Sequence, residues 1–397
     1  MTLWEHAQQI IPGGNQLYSK RPTKYCDNFP SHYIWAKGNE ITSAEGITYK
    51  DFTTMGIGCC TLGYGDPDVD AAVIQSIAAG QFSSLNCIEE LELAEVLLKL
   101  NPKMDMVKFA RTGGEACKIA VEICRTYTGR KTILQHGYSG WILGTPEKSY
   151  SLQINEPEDL PEAYDHTNGL YACVIMEPVR NYPNESYKML KAVRKWCTNN
   201  HVPLIFDEIT SGNRVNIGGY YATKSIIPDL AVFGKNLGNG YPISAVVGKE
   251  EIMEAAEETF ISSTMWSERI GYTAALATLE EMRKRNIPTH LLKTGKLMQV
   301  GWESAAALAD IEIEVYGIPP LAGFTFVNNH RKNITYYSQE MLKRGYLAGN
   351  QFYASYAQKE KDVVEFMYHV EEVFAQIGEG NIKVEGKLAD EPWKRVN

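Results

Sequence analysis

The chain has 397 residues, 44% of them apolar, and carries 39 basic against 48 acidic side chains for a formal net charge of −9. That length passes the roughly 250–300 residues at which one hydrophobic core stops growing, so a large and a smaller domain are expected. The acidic balance argues against a nucleic-acid binder, and no apolar run approaches the roughly 20 residues that span a bilayer, so no membrane segment is expected.

Residues 1–45 read as an extended arm with a first helix ending at Ile11-Pro12-Gly13-Gly14. The start, Met1-Thr2-Leu3-Trp4-Glu5-His6, has no basic stretch followed by an apolar one, so the chain is expected to stay in the cytoplasm. The eight cysteines form no CxxC pair; buried thiols are expected rather than disulfides or a metal site. Two helical patterns follow, one from near Pro67 through Ile74 and one from Glu89 to Leu100.

From about residue 105 strands and helices alternate. Strands are expected at Met106–Ala110, Thr132–Gln135, Tyr171–Met176, Leu204–Phe206, Leu230–Phe233 and Ser244–Val247. Helices are expected at Glu115–Tyr127, Ser186–Asn199 and near 268–285. This alternation implies an α/β fold with a mainly parallel sheet covered by helices, whose ligands sit at the carboxyl ends of the strands. Residues 289–397 mix helices with short strands such as Ile311–Val315 and are assigned to a small α+β domain, with 1–45 as its arm and 46–288 as the large domain.

Two of those strand ends carry chemistry. Val202–Phe206 delivers Asp207 and Glu208; Leu230–Phe233 delivers Lys235 into a glycine-rich turn. An acid and an amine at the ends of adjacent strands is what pyridoxal phosphate (PLP) requires. The lysine forms an imine, and the carboxylate keeps the pyridine nitrogen protonated so that the ring acts as an electron sink. Taken singly, either residue reads as an ordinary cap or loop side chain.

The neighbouring motifs are individually ambiguous. Arg111-Thr112-Gly113-Gly114-Glu115-Ala116 joins a strand to a helix, and its glycines and helix-start amides suit a phosphate or merely a tight turn. His136-Gly137-Tyr138-Ser139-Gly140-Trp141 offers Tyr138 as an aromatic face for a planar ligand, or as a core tyrosine. Glu177, before Pro178, suits a loop anchor or a substrate amine. Ser262-Ser263-Thr264-Met265-Trp266 supplies hydroxyls for phosphate, or caps the next helix.

The ordered set resembles the class III, fold type I PLP-dependent aminotransferases, most closely their glutamate-1-semialdehyde aminomutase branch. The resemblance runs from about residue 5 to 285. It is densest from Leu204-Ile205-Phe206-Asp207-Glu208-Ile209 through Arg214, Gly218-Gly219 and Pro228-Asp229-Leu230 to Gly234-Lys235-Asn236-Leu237-Gly238-Asn239-Gly240-Tyr241-Pro242-Ile243. It implies that Lys235 carries the cofactor and shuttles the proton, that Asp207 pairs with the ring nitrogen, and that Glu208 beside it is a further cofactor-binding residue. It further implies that Gly113 and Gly114 bind phosphate, that Tyr138 lies against the ring, and that Thr264 reaches the phosphate of the neighbouring subunit in a homodimer. Arg21, Trp141 and Glu177 are candidates for substrate contacts.

The chain departs from the family at three points. Both positions before Glu115 are glycine where a hydroxyl residue is common, which shifts the phosphate onto backbone amides, with Thr112 as a possible helper. Met265-Trp266-Ser267-Glu268-Arg269 replaces the usual small-residue and Asn-Pro pattern. The segment Asn15–Pro22 is longer than the aminomutase pattern before its serine and Arg21.

The stretch Trp141–Leu160 is short and does not resemble the aminomutases' long glycine-rich closing loop. An open site favours ping-pong transamination between a small-molecule amino donor and a keto or aldehyde acceptor. Tyr18, Tyr138, Trp141 and Trp266 suit a hydroxylated acceptor such as a keto-sugar or sugar acid. The alternatives are intramolecular amino transfer of the aminomutase type and a silent binding or regulatory protein, the latter countered by the presence of both Lys235 and Asp207.

Overall fold

The computed structural model describes residues 1–143, 151–154, 156–160, 171–179 and 183–391, the side chains of 151–153 and 183–186 excepted. The chain divides into two compact units, Met1–Asp66 with the chain from His290 onward, and Pro67–Thr289. The sequence reading places these divisions at 45/46 and 288/289. In the structure, residues 46–66 belong with the arm because Thr48–Asp51 pairs parallel to Tyr346–Leu347 and antiparallel to Glu40–Ser43. The smaller unit holds that four-stranded sheet and a three-stranded one formed by Ile313–Tyr316, Leu321–Phe326 and Gln351–Tyr353. Its hairpin Tyr33–Lys37/Glu40–Ser43 lies within what the sequence reads as an extended arm.

The larger unit is a helix-covered sheet. Its strands are β1 Met106–Ala110, β2 Ile133–His136, β3 Ser151–Gln153, β4 Cys173–Met176, β5 Leu204–Asp207, β6 Leu230–Phe233 and β7 Ser244–Gly248. They form one seven-stranded sheet in the order β1-β7-β6-β5-β4-β2-β3. Every residue of β4, β5, β6 and β7 is buried, which explains their continuous apolar runs: both faces are covered.

The pairs from β6 through β5, β4 and β2 to β3 are parallel, whereas β7 runs antiparallel to both β6 and β1. The exception follows from chain length. Only the short turn around Lys235–Gly238 joins β6 to β7, too little for the crossover that a parallel pair needs.

The longer helices described in this unit include α1 Pro67–Ala78, α2 Ile88–Leu100, α3 Gly113–Thr128, α4 Pro183–Asn200 and α5 Arg269–Lys284. Helix α3 buries Ala116, Ile119, Ala120, Ile123 and Cys124 against Ile175, Ile205, Val232 and Val246 of the sheet. That spacing is one helical stripe on a flat apolar surface. Among the described residues, no helix is long and apolar enough to cross a membrane.

Candidate active site

Because β1, β2, β4, β5 and β6 run in one direction, their carboxyl ends share one edge of the sheet. The register fixes which side chains arrive there: His136 lies opposite Met176, Met176 opposite Phe206, and Asp207 opposite Val232. The residues immediately beyond are therefore Glu177, Asp207 itself and Lys235.

Asp207 closes β5 and is only 4% exposed. Its carboxylate accepts from the Ile209 amide at 3.1 Å and from the Cys117 thiol, on α3, at 3.4 Å. Burial and the nearby charge of Glu177 push its pKa up to about 7, against the pull of the Ile209 amide, the Cys117 thiol and the Lys235 ammonium. A carboxyl held this way gains most from a cation brought against it.

Glu208, the first residue past β5, is engaged by the loop that follows the strand. It is fully buried; the Ser211 hydroxyl donates to one carboxylate oxygen and the Tyr221 amide to the other at 2.9 Å. Burial pushes its pKa to about 7, partly offset by those donors. Both oxygens thus tie down the loop that follows β5.

Lys235 follows Gly234 in a left-handed conformation, at φ +37°. A non-glycine residue there costs about 1–2 kcal/mol, a strain the surrounding turn must hold. Its Nζ donates to Oγ1 of Thr210 at 2.7 Å. Thr210 is in turn held through its carbonyl, which accepts from Nε of the buried Arg214 at 2.5 Å. Thr210 and Cys117 are contacts that sequence reasoning missed. The available signals were a hydroxyl three residues past the acid and a thiol one turn past the glycine pair.

The helix start beside them is closely approached, by a side chain at Gly113 and by backbone at Gly114. A Cβ on Gly113 would lie 2.6 Å from Cδ1 of Ile209, and one on Gly140 would lie 2.9 Å from Cα of Gly114. Thr112 caps α3: its hydroxyl accepts from the Glu115 amide at 3.3 Å and donates to the Glu115 carboxylate at 2.9 Å. That hydroxyl is committed to the cap, which leaves the first-turn amides of Gly113 and Gly114 without acceptors inside the helix. Backbone donors at a positive helix end have the right chemistry to cradle a phosphate.

Tyr138 is 47% exposed and Trp141 is 80% exposed. Glu177 is buried, and its charge acts on both Asp207 and His136. Thr264 is exposed, while its neighbour Trp266 is pinned by an indole N–H donated to Glu115 at 3.2 Å. Arg21 belongs to the smaller unit, with its guanidinium 5.0 Å above the Tyr18 ring. Tyr18 belongs to that unit too. The closing-loop reading falls partly on 144–150 and 155, outside the described residues. A cleft of about 530 Å³ in the larger unit is lined by Leu91, Phe109, Trp266 and Tyr272 among others, and by none of the predicted cofactor residues.

The sequence pattern of the class III aminotransferases matches residues 23–145 and 156–355, and the chain belongs to that family. The 3-aminobutyryl-CoA aminotransferase of Cloacimonas acidaminovorans (strain Evry) is 29% identical, over 95% of this chain and 97% of its own. The glutamate-1-semialdehyde 2,1-aminomutase of Dechloromonas aromatica (strain RCB) is 30% identical, over 82% of this chain and 83% of its own. Among solved structures, the PLP internal aldimine form of the FumI protein from Sphingopyxis sp. MTA144 superposes with a TM-score of 0.87. It is 24% identical, over 94% of this chain and 95% of that one. The fold is that of fold type I PLP-dependent transaminases, and the protein is a PLP-dependent transaminase of class III.

Proposed function

We propose that this enzyme transfers an amino group between separate donor and acceptor molecules in a ping-pong cycle, with Lys235 as the covalent and proton-carrying residue. The observation that carries the reading is the pair at the strand ends: a buried Asp207 closing β5, and Lys235 in the turn just past the adjacent parallel strand β6. When bound, PLP supplies an electron sink for the carbanion formed at the substrate carbon. Asp207 holds a proton against the ring nitrogen. The amides of Gly113 and Gly114 would hold the phosphate, and Tyr138 would lie against the ring. Glu208 anchors the 211–221 loop rather than touching the cofactor, as its engaged oxygens indicate.

The acceptor is of the keto-sugar or sugar-acid class, which the exposed rings of Tyr138 and Trp141 suit by stacking on C–H faces while hydroxyls remain hydrated. Trp266 leaves this set because its N–H is engaged with Glu115. Glu177 remains a candidate for the substrate amine. The 30% identity with an aminomutase supports intramolecular transfer as a second reading.

Thr264 acts across a homodimer. Its exposure supports this, as do the exposed apolar residues Ile74, Phe82, Leu85, Ile88, Leu91 and Phe260 on the same unit. Sedimentation should give twice the 44.5 kDa chain mass, and a monomer would refute this assembly.

A screen of amino donors and keto acceptors, read by cofactor absorbance and product formation, tests the chemistry. Exchange between two substrates supports the proposal, and turnover of hydroxylated acceptors supports the substrate class. Conversion of glutamate-1-semialdehyde with no second substrate would refute it in favour of the mutase, and no spectral change with any donor would point to a silent protein.

A further inference from the structure

The lysine does not hang free at its strand end. Its Nζ is 2.7 Å from the Thr210 hydroxyl oxygen, to which it donates. Thr210 is itself held from two directions. Its carbonyl accepts from Nε of Arg214, a side chain with no solvent exposure. On its N-terminal side, the Ile209 amide is bonded to Asp207. The turn that fixes the acid thus also fixes the hydroxyl, and the hydroxyl meets the amine. The lysine backbone has its own constraint, φ +37° after Gly234. A fixed acceptor and a fixed backbone give the amine one preferred resting place.

We propose that Thr210 is a positioning residue for Lys235, holding its amine in the ammonium form and aimed beside Asp207 whenever the side chain is not covalently occupied. This deepens the assignment of Lys235 made above and rests on it. The reasoning is chemical. An oxygen accepting from an ammonium stabilises the charged form, since hydrogen bonds to charged groups are the stronger kind. Removing the threonine oxygen takes away that one hydrogen bond to the ammonium, which shifts the balance toward the neutral amine. Thr210 would therefore delay the amine's loss of its proton and fix the direction from which it attacks. Valine at this position keeps the branched shape and removes the acceptor; serine keeps the acceptor and removes a methyl group.

The test reads the lysine directly in cofactor-free protein. The wild type, Thr210→Val and Thr210→Ser are treated with trace acetic anhydride from pH 6 to 10, and acetylation of the Lys235 peptide is quantified by mass spectrometry against exposed lysines of the same chain. On the acid side of the profile, T210V should label Lys235 ~10-fold faster than the wild type, its profile shifting to lower pH by about one unit. T210S should follow the wild type. Circular dichroism and melting temperature report whether T210V is folded; if it is not, Thr210→Ala replaces it with the same expected shift. Superimposable profiles for the wild type and the folded acceptor-free variant would overturn the inference, as would a T210S profile matching that of the acceptor-free variant. If borohydride treatment of the PLP-loaded enzyme leaves Lys235 unmodified, the assignment of Lys235 fails and takes this inference with it. Trapping at Lys235 with unshifted labelling overturns the inference alone.

Discussion

Gly140→Ala is the sharpest test of how the helix start is built. The new Cβ would lie 2.9 Å from Cα of Gly114, where ordinary contact begins near 3.4 Å, so backbone must move by about 0.5 Å. Neither atom belongs to a flexible side chain, so the turn or the first residues of α3 must yield. Gly140 also sits at φ +89°, where alanine costs about 1–2 kcal/mol before any contact is counted. The forced displacement adds about 1–3 kcal/mol, the usual range for overpacking.

Gly129→Ala supplies the control. Gly129 caps the other end of the same helix at φ +67°, with nothing within 4 Å of its missing Cβ, so it carries the conformational cost alone. Urea denaturation of the cofactor-free proteins should place G140A below G129A by the contact contribution. Fluorescence titration should show G140A binding PLP ~10-fold more weakly, because the amides that face the phosphate have moved, while G129A binds as the wild type does. Equal stability and equal PLP affinity for the two variants would refute the cradle.

Asp207 and Glu208 both rest near 7 in the folded chain, above their ordinary values of 3.8 and 4.5. The folded state therefore binds protons more tightly than the unfolded state, and cofactor-free stability should fall as pH rises from about 4 to about 7. Asp207→Asn removes its share of that slope, and urea unfolding between pH 5 and 8 with slopes identical to the wild type would contradict the burial argument. Glu208→Ala leaves the Ser211 hydroxyl and Tyr221 amide without their acceptors and should lower stability by about 2–4 kcal/mol. Glu208→Gln, which keeps an acceptor oxygen, should lose less. An alanine variant as stable as the wild type in the same assay would show that the loop is held elsewhere.

Much of the fold was legible because its elements are strongly patterned. The four fully buried strands read as apolar runs, and the helix expected at Glu115–Tyr127 lies within the observed α3. The direction of β7 was not legible from composition: Ser244–Gly248 is as apolar as its neighbours, and only the short Lys235–Ile243 connection marks it as antiparallel. The parallel pairing of Thr48–Asp51 with Tyr346–Leu347 was hidden because nothing local records a contact across about 300 residues of chain.

At the site, Lys235 and Asp207 announced themselves through strand ends. Thr210 did not, because a threonine in a polar turn looks like any turn residue until the amine is seen against it. Glu208 reads from the sequence as a neighbour of Asp207, and its engagement by Ser211 and Tyr221 of the following loop was not legible there. Thr112 looked free to help with phosphate, but its hydroxyl is committed to the helix cap.

The most direct measurement is covalent. Enzyme saturated with PLP, reduced with borohydride and digested, should yield one pyridoxyl-modified peptide, and fragmentation should place the modification on residue 235. A modification on any other lysine, or none under saturation, would contradict the central claim.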